Sequence, residues 1–136
     1  MEKRDYIESM IEQLGNSLRK MLSFLIKGNN KENEIEMIAT IDRDFLTEFK
    51  ISIDELILLS NDDFKKKIIE LKLKENHIEI LSQLFLQMSW LDKLFNDLKV
   101  EKLKEKAILC LDIADFVSNS FSVERINKKK EILNSK

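Results

Sequence analysis

The sequence predicts an all-α protein that folds as one helical domain over residues 1–136, a bundle of roughly five to seven helices. Three features of the chain indicate this fold. Proline is absent and only two glycines occur, so few residues interrupt helical backbone. Apolar residues recur at spacings of three and four, which places them on one face of a helix, in segment after segment. Hydrophobic residues make up 43% of the chain, which is enough apolar surface for one core.

The first helix is predicted from Asp5 to Lys27, with Gly28 as the left-handed residue that ends it. Its apolar stripe has alternating spacings of four and three and consists of Ile7, Ile11, Leu14, Leu18, Met21 and Leu25. The spacing is that of a coiled-coil seam, but Gly15 and Ser17 occupy the flanking positions that normally carry charges. We therefore expect this helix to pack closely against a neighbour inside the same domain.

A second helix is predicted over residues 32–49, antiparallel to the first because the connecting loop is only about four residues long. Its inward face is expected to consist of Ile35, Ile38, Ile41, Phe45 and Phe49. Two capping patterns follow, since Ser52 precedes Glu55 by three residues and Ser60 precedes Asp63 by the same spacing. They predict two short connecting helices.

Two long helices, predicted from Asn76 to Leu98 and from Glu101 to Asn119, are apolar over most of their circumference. We expect them to form a hairpin at the centre of the core. Ser122 is the expected N-cap of a closing helix from Val123 to Leu133. The narrow apolar stripe of that helix indicates a surface position and consists of Val123, Ile126 and Leu133.

Composition argues against several classes of function. The formal net charge of −2 gives no general electrostatic reason to bind nucleic acid, so that partner is not expected. The single cysteine, Cys110, lies in the apolar run AILCLDIA and is expected to be a buried, unreactive thiol in a reducing compartment. Without a signal-peptide pattern or an apolar run of about 18 residues, the sequence predicts a cytoplasmic protein that does not associate with membranes.

The opening segment DYIESMIEQLGNSLRKML, residues 5–22, resembles the start of an uncharacterised family of small bacterial all-helical proteins, a domain of unknown function. The matching residues are Asp5, Tyr6, Ile7, Ile11, Glu12, Gln13, Leu14 and Gly15. The resemblance implies a tetratricopeptide-like hairpin in which Ala107, Leu111 and Ala114 occupy positions of the second helix. Phe95 departs from that pattern, which has a small residue there. The resemblance implies no chemistry, because the function of the family is unknown.

The only histidine, His77, is flanked by Glu75 and Glu79, a combination found at metal sites. Alternate residues of a helix point in different directions, and no second histidine completes a ligand set. We interpret His77 as a surface residue near a helix start, and we predict no metal ion and no cofactor.

Two groups of charged residues in the last two predicted helices, one acidic and one basic, can each be interpreted in two ways. An acidic stripe on the last long helix consists of Glu101, Glu105, Asp112 and Asp115. It could hold a hard cation or share acid and base duties, but we interpret it as a solvated edge facing the lysines of the closing helix. The basic run from Lys128 to Lys130, together with Arg125, could contact phosphate or an acidic partner, although short lysine runs are usually solvated.

The candidate binding residues lie on the first helix of the predicted hairpin. Steps of four, three and seven place four side chains on one stripe: Gln83, Gln87, Trp90 and Asp97. The indole of Trp90 could offer a stacking surface in a groove between helices, or it could pack under the closing helix.

The sequence therefore predicts a non-enzymatic interaction module that binds an unidentified protein or peptide in a groove near Trp90. No catalytic residue is predicted. Three alternatives stay open: a homodimer that uses the N-terminal helix, a small-ligand-binding protein or enzyme without a recognisable motif, and a nucleic-acid accessory that relies on the basic tail from Arg125 to Lys136.

Overall fold

The structure is a computed structural model that describes residues 3–27, 33–91 and 95–134. Within these ranges it contains seven α-helices and no strand, so the predicted all-α fold in a single helical domain is confirmed. The helices are α1 (Lys3–Lys27), α2 (Glu34–Phe49), α3 (Ile53–Leu58), α4 (Asn61–Glu70), α5 (Glu75–Ser89), α6 (Asp97–Ser118) and α7 (Val123–Asn134). Gly28, the predicted end of the first helix, lies outside the described residues, as does Glu32, the predicted start of the second.

Helices α5 and α6 form an antiparallel hairpin at the centre of the bundle. The hydroxyl of Ser82 on α5 donates a hydrogen bond to the carbonyl of Ala107 on α6 over 2.7 Å. Helix α1 packs on α5 and α2 packs on α1, while α3, α4 and α7 lie against α6. The fully buried side chains that fill the core include Leu18, Phe45, Leu56, Phe64, Ile78, Leu84, Phe85, Leu103 and Ala107. The predicted central hairpin is therefore present.

Serine caps define the starts of three helices, as the sequence predicts. Ser52 accepts a hydrogen bond from the Glu55 N–H over 3.0 Å at the start of α3. Ser60 accepts one from the Asp63 N–H over 3.1 Å at the start of α4. Ser122 accepts one from the backbone N–H of the third residue of α7 over 3.3 Å. Each cap satisfies an N–H that has no partner inside its own helix.

The N-terminal pair is antiparallel as expected, with Ser17 on α1 donating a hydrogen bond to Glu48 on α2 over 3.0 Å. Only the second half of the α1 stripe is core, since Leu18, Met21 and Leu25 are buried and the first residues of the stripe are half-buried or exposed. On α2 the prediction for Ile35 is wrong, because its side chain is 66% exposed. The inward face of α2 passes through Met37 instead.

The predicted helix from Asn76 to Leu98 is too long, because α5 ends at Ser89. The Ser89 hydroxyl donates to the Leu86 carbonyl over 2.6 Å, and the Leu91 N–H donates to the Met88 carbonyl three residues earlier. These three-residue bonds tighten and close the last turn. Helix α6 then begins four residues earlier than predicted, because the Asn96 side chain caps it.

The predicted inward stripe of the closing helix is also wrong. Val123 and Leu133 are 72% and 70% exposed, whereas Arg125 and Ile132 are buried. Rotation of α7 toward the ion pairs of Arg125 turns the predicted stripe outward. None of the helices in the described residues is both long and apolar enough to cross a membrane.

Candidate functional site

A small pocket lies where α7 covers the α5–α6 hairpin. Its volume is about 140 Å³, and its lining residues are Glu79, Ser82, Gln83, Leu86, Trp90, Leu111, Lys128, Glu131 and Ile132. The hydroxyl of Ser82 is already engaged by the backbone of α6. The apolar walls of the pocket are formed by Leu86, Leu111 and Ile132, and carboxylate, amide and ammonium groups surround them. Each of the three helices contributes at least one lining residue.

Trp90 is the C-cap residue that follows α5, and it lines this pocket. It is 53% exposed, so it is not packed under the closing helix. Of the other predicted binding residues, Gln83 lines the pocket and Gln87, on the same helix, does not. Asp97 lies in the first turn of α6. The predicted single stripe of four side chains is wrong for Asp97, because α5 ends before reaching it.

Beside the pocket, the guanidinium of Arg125 joins α7 to both helices of the hairpin. Its Nε donates to Asp115 Oδ1 over 2.6 Å, and its Nη1 donates to Glu75 Oε2 over 3.0 Å and to Glu79 Oε2 over 3.1 Å. Its Nη2 donates to the Ser118 hydroxyl over 3.2 Å. Burial alone would lower the pKa of Arg125, but these acceptors outweigh burial and raise it. The guanidinium is the main polar link between α7 and the hairpin.

The predicted solvated edge of α6 is confirmed for Glu101, Glu105 and Asp112, which are exposed, and is wrong for Asp115, which is buried under α7. Asp115 is only 7% exposed, whereas Asp112 is exposed. Lys129 contacts carboxylate oxygens of both, which confirms the prediction that the stripe faces lysines of the closing helix. Burial would raise the pKa of Asp115, but hydrogen bonds from Arg125 and Lys129 outweigh it and keep that pKa below its usual value.

Other candidate reactive groups take structural positions. Cys110 is fully buried, as predicted, and burial raises the pKa of its thiol far above the usual value. Among the described residues, no three or more side chains of the metal-ligating types are grouped so that they could hold an ion. Lys106, which the sequence analysis did not single out, is buried and donates to Asn61 over 2.8 Å and to Glu105 over 3.1 Å.

The prediction of a surface position for His77 is wrong, because its side chain is completely buried against α1. A Cβ added to Gly15 would lie 2.4 Å from His77 Nε2, so the ring rests directly on the backbone of α1. The predicted close packing of Gly15 within the domain is confirmed. His77 Nδ1 accepts from the Lys74 N–H over 3.4 Å, and Nε2 lies 3.6 Å from Glu12 Oε1, beyond hydrogen-bond length.

Burial of His77 makes stability depend on pH in a defined direction. Burial lowers the pKa of His77 below its ordinary value of 6.5, more strongly than the nearby Glu12 carboxylate raises it. Below pH 6.5 the unfolded chain therefore binds more protons than the folded chain, and stability falls by at most about 1.4 kcal/mol per pH unit from this group. We expect the melting temperature to fall between pH 7 and pH 5 in scanning calorimetry.

His77→Asn is the matched control for this pH dependence. Asparagine can still accept from the Lys74 N–H but does not titrate in this range. The variant should melt lower at pH 7, because it leaves a cavity, and should lose less on acidification than the wild type. Equal losses in both chains between pH 7 and pH 5 would show that His77 is not the responsible group.

A second, wider groove lies between α1 and α2, with a volume of about 330 Å³. Phe24, 41% exposed, is its aromatic residue, and most of the other lining side chains are polar or charged. The Ser17–Glu48 hydrogen bond lies among those lining residues. Because binding sites are mostly apolar with few polar groups, the chemistry of this groove is less suited to an apolar ligand.

Comparison of the chain with protein-family models, with curated proteins and with solved structures gave no match. The geometry of its own side chains is therefore the basis for assigning a function.

Proposed function

We propose that this protein is a non-enzymatic interaction module that binds a protein or peptide at the pocket beside Trp90. The observation that carries the proposal is a pocket of about 140 Å³ with aliphatic walls and an exposed tryptophan at its rim. Sites for small molecules and cofactors have volumes of roughly 300–1,000 Å³. The pocket is smaller than that, and its size suits one side chain of a larger partner.

The residues around the pocket suit an anchoring side chain. Leu86, Leu111 and Ile132 offer an apolar environment for an aliphatic or aromatic group. Tryptophan is common among the few residues that dominate binding energy, because its indole buries a large area and retains a hydrogen-bond donor. The carboxamide of Gln83 can donate to or accept from the backbone of a bound peptide. The net charge of −2 favours a protein or peptide over nucleic acid as the partner.

Affinity copurification from the source cell, with the wild type, Trp90→Ala and Phe24→Ala as baits, tests the proposal. We expect a specific partner on the wild-type and Phe24→Ala baits and a loss of at least tenfold on Trp90→Ala, since removing such an anchor costs about 1.4 kcal/mol or more. Phe24→Ala is the matched control because it removes an exposed aromatic from the α1–α2 groove. Equal recovery on all three baits would refute the proposal, and loss on Phe24→Ala alone would move the site to that groove.

Two further parts of the proposal concern family and location. We propose that the chain is related to the uncharacterised bacterial family that residues 5–22 resemble. In this proposal α5 and α6 form the tetratricopeptide-like hairpin. One such hairpin is fewer than the roughly three repeats that form a solenoid, so this likeness concerns the fold alone. We also propose a cytoplasmic location, which is supported by the single cysteine being a buried free thiol.

A second candidate is a homodimer formed through the first turns of α1. Tyr6, Ile7 and Met10 are 58%, 37% and 49% exposed on that segment, although Ile7 belongs to the apolar stripe. A second copy could cover them. A mass near twice 16.1 kDa in light scattering, lost in Met10→Asp, would support this candidate, and a monomer would exclude it.

A further inference from the structure

Helix α7 is attached to the hairpin chiefly by polar contacts. Of its 12 residues, only Arg125 and Ile132 are buried. The side chains of Glu75 and Glu79, which bind Arg125, are still 46% and 30% exposed. These two ion pairs are accessible to solvent and weakened by salt, so most of the polar attachment comes from the buried Arg125–Asp115 pair, whose side chains are 5% and 7% exposed. A helix of this length is also marginal on its own in water, so α7 depends on this attachment.

The surface under α7, which we call the α7 seat, is acidic at one end and apolar at the other. Its acidic end consists of Glu75, Glu79, Asp112 and Asp115. Its apolar end is the pair Leu86 and Leu111, next to Trp90. The helix that now occupies the seat matches this division, with Arg125 and Lys129 over the carboxylates and Ile132 over the apolar end.

The fit of α7 to the seat is incomplete. The pocket of about 140 Å³ is space that α7 leaves unfilled between itself and the hairpin. Lys128 lines this pocket, whose apolar walls are Leu86, Leu111 and Ile132 and whose other lining residues include Glu79, Gln83 and Glu131. A lysine places its ammonium in water and leaves the apolar space empty. A helix with a large apolar residue at the position of Lys128 would bury more apolar surface than α7 does.

We propose that the α7 seat receives an amphipathic helix of a partner protein, which displaces α7. The partner helix carries basic residues in place of Arg125 and Lys129, an aliphatic residue in place of Ile132, and a large apolar residue in place of Lys128. This inference rests on the proposed function, because it identifies the class of partner that the pocket beside Trp90 binds. Helix α7 acts as the weaker, intramolecular occupant of the same surface.

Fluorescence polarisation with labelled synthetic peptides tests the inference without the cellular partner. The parent peptide is residues 122–134, SVERINKKKEILN, and two derivatives carry K128L or K130L. Both derivatives lose one lysine and gain one leucine, but position 130 is exposed and does not line the pocket. The receptor is the full chain with Arg125→Ala, which releases its own α7 and leaves the seat unchanged. Ile132→Ala is a second receptor in case the first does not fold.

We expect the K128L peptide to bind the released chain at least tenfold more tightly than the K130L peptide, and to bind the wild-type chain more weakly. Binding should also weaken between roughly 50 and 500 mM salt, because Glu75, Glu79 and Asp112 of the seat are accessible to solvent. Equal affinities of the two derivatives, or no binding to a receptor whose helical circular dichroism is retained, would overturn the inference.

Three other outcomes separate the partner helix from exchange of α7 between copies, and separate this inference from the proposed function. A dimer of twice 16.1 kDa formed by the released chain would overturn the partner helix in favour of α7 exchange between copies. Failure of all peptides together with Trp90-dependent recovery of a cellular partner would refute this inference and leave the proposed function standing. Binding of the K128L peptide together with equal recovery on all copurification baits would refute the proposed function instead.

Discussion

Replacing Arg125 with alanine is expected to lower the free energy of unfolding by about 3–5 kcal/mol. The substitution leaves Asp115, which is only 7% exposed, with Lys129 at 3.4 Å as its remaining cationic partner. A buried carboxylate without adequate partners is costly, and the chain relieves this cost by releasing α7. The free energy with which α7 attaches therefore sets the upper limit of the loss. Urea denaturation followed by circular dichroism measures the change.

Two matched variants separate this effect from the loss of any arginine. Arg43→Ala removes an exposed pair with Asp44 at 3.6 Å and should change stability by less than about 1 kcal/mol. Arg125→Lys keeps the charge but cannot present the planar set of donors that reaches four acceptors, so an intermediate loss is expected. If Arg125→Ala were no more destabilising than Arg43→Ala, the ion-pair network would not be what holds α7.

Gly15→Ala is expected to destabilise the protein by about 1–3 kcal/mol, although alanine is normally the better helix former. The new methyl carbon would lie 2.4 Å from Nε2 and 2.5 Å from Cδ2 of His77. The ring has little freedom to move, because it is fully buried and bonded to the Lys74 N–H. Either the ring or α1 must shift, and α1 would lose contact with α5. Thermal and urea denaturation both report the loss.

Removal of the His77 imidazole should turn the destabilisation by Gly15→Ala into a stabilisation. In a His77→Ala background there is no imidazole to clash with, so adding Gly15→Ala should stabilise the chain by up to about 1 kcal/mol through helix propensity. The difference between the two backgrounds is the interaction energy of the pair, which should be well above the roughly 0.5 kcal/mol expected for independent sites. Equal effects of Gly15→Ala in both backgrounds would mean that contact with His77 is not the cause.

Most of the fold could be predicted from local patterns. The serine caps at Ser52, Ser60 and Ser122 mark helix starts that the structure confirms, because capping is decided by residues three apart in the chain. The close contact of Gly15 also followed from sequence, since a small residue beside an apolar stripe permits near approach of another helix. The structure additionally identifies that helix as α5 and the contacting group as His77.

The remaining errors have a common physical origin in contacts between distant segments. Arg125 looks like part of a solvated basic run, but carboxylates 10, 46 and 50 residues away bind it and turn α7 about its axis. No local pattern contains that information. Asn96 is the exception, because an asparagine that caps a helix was visible in the sequence and would have placed Asp97 on α6 rather than beside Trp90.

Only the part of the candidate site that lies on α5 could be predicted from the sequence. Its place near the polar edge of a central helix was visible in the spacing of Gln83 and Trp90. The pocket itself depends on α7, whose Lys128 and Ile132 return to the hairpin from far along the chain. The sequence could locate the site on α5, but it could not predict that α7 forms the opposite wall of the pocket.

The most direct test of an interaction site at Trp90 is acrylamide quenching of tryptophan fluorescence in the chain with its copurified partner. Trp90 is the only tryptophan in the sequence, and it is 53% exposed without a partner. Comparison with a chain carrying Trp90→Phe isolates its signal from tryptophans of the partner. Partner binding is expected to shift the Trp90 emission to shorter wavelength and to lower its quenching constant at least twofold. Unchanged emission and quenching of Trp90 in a saturated complex would contradict it.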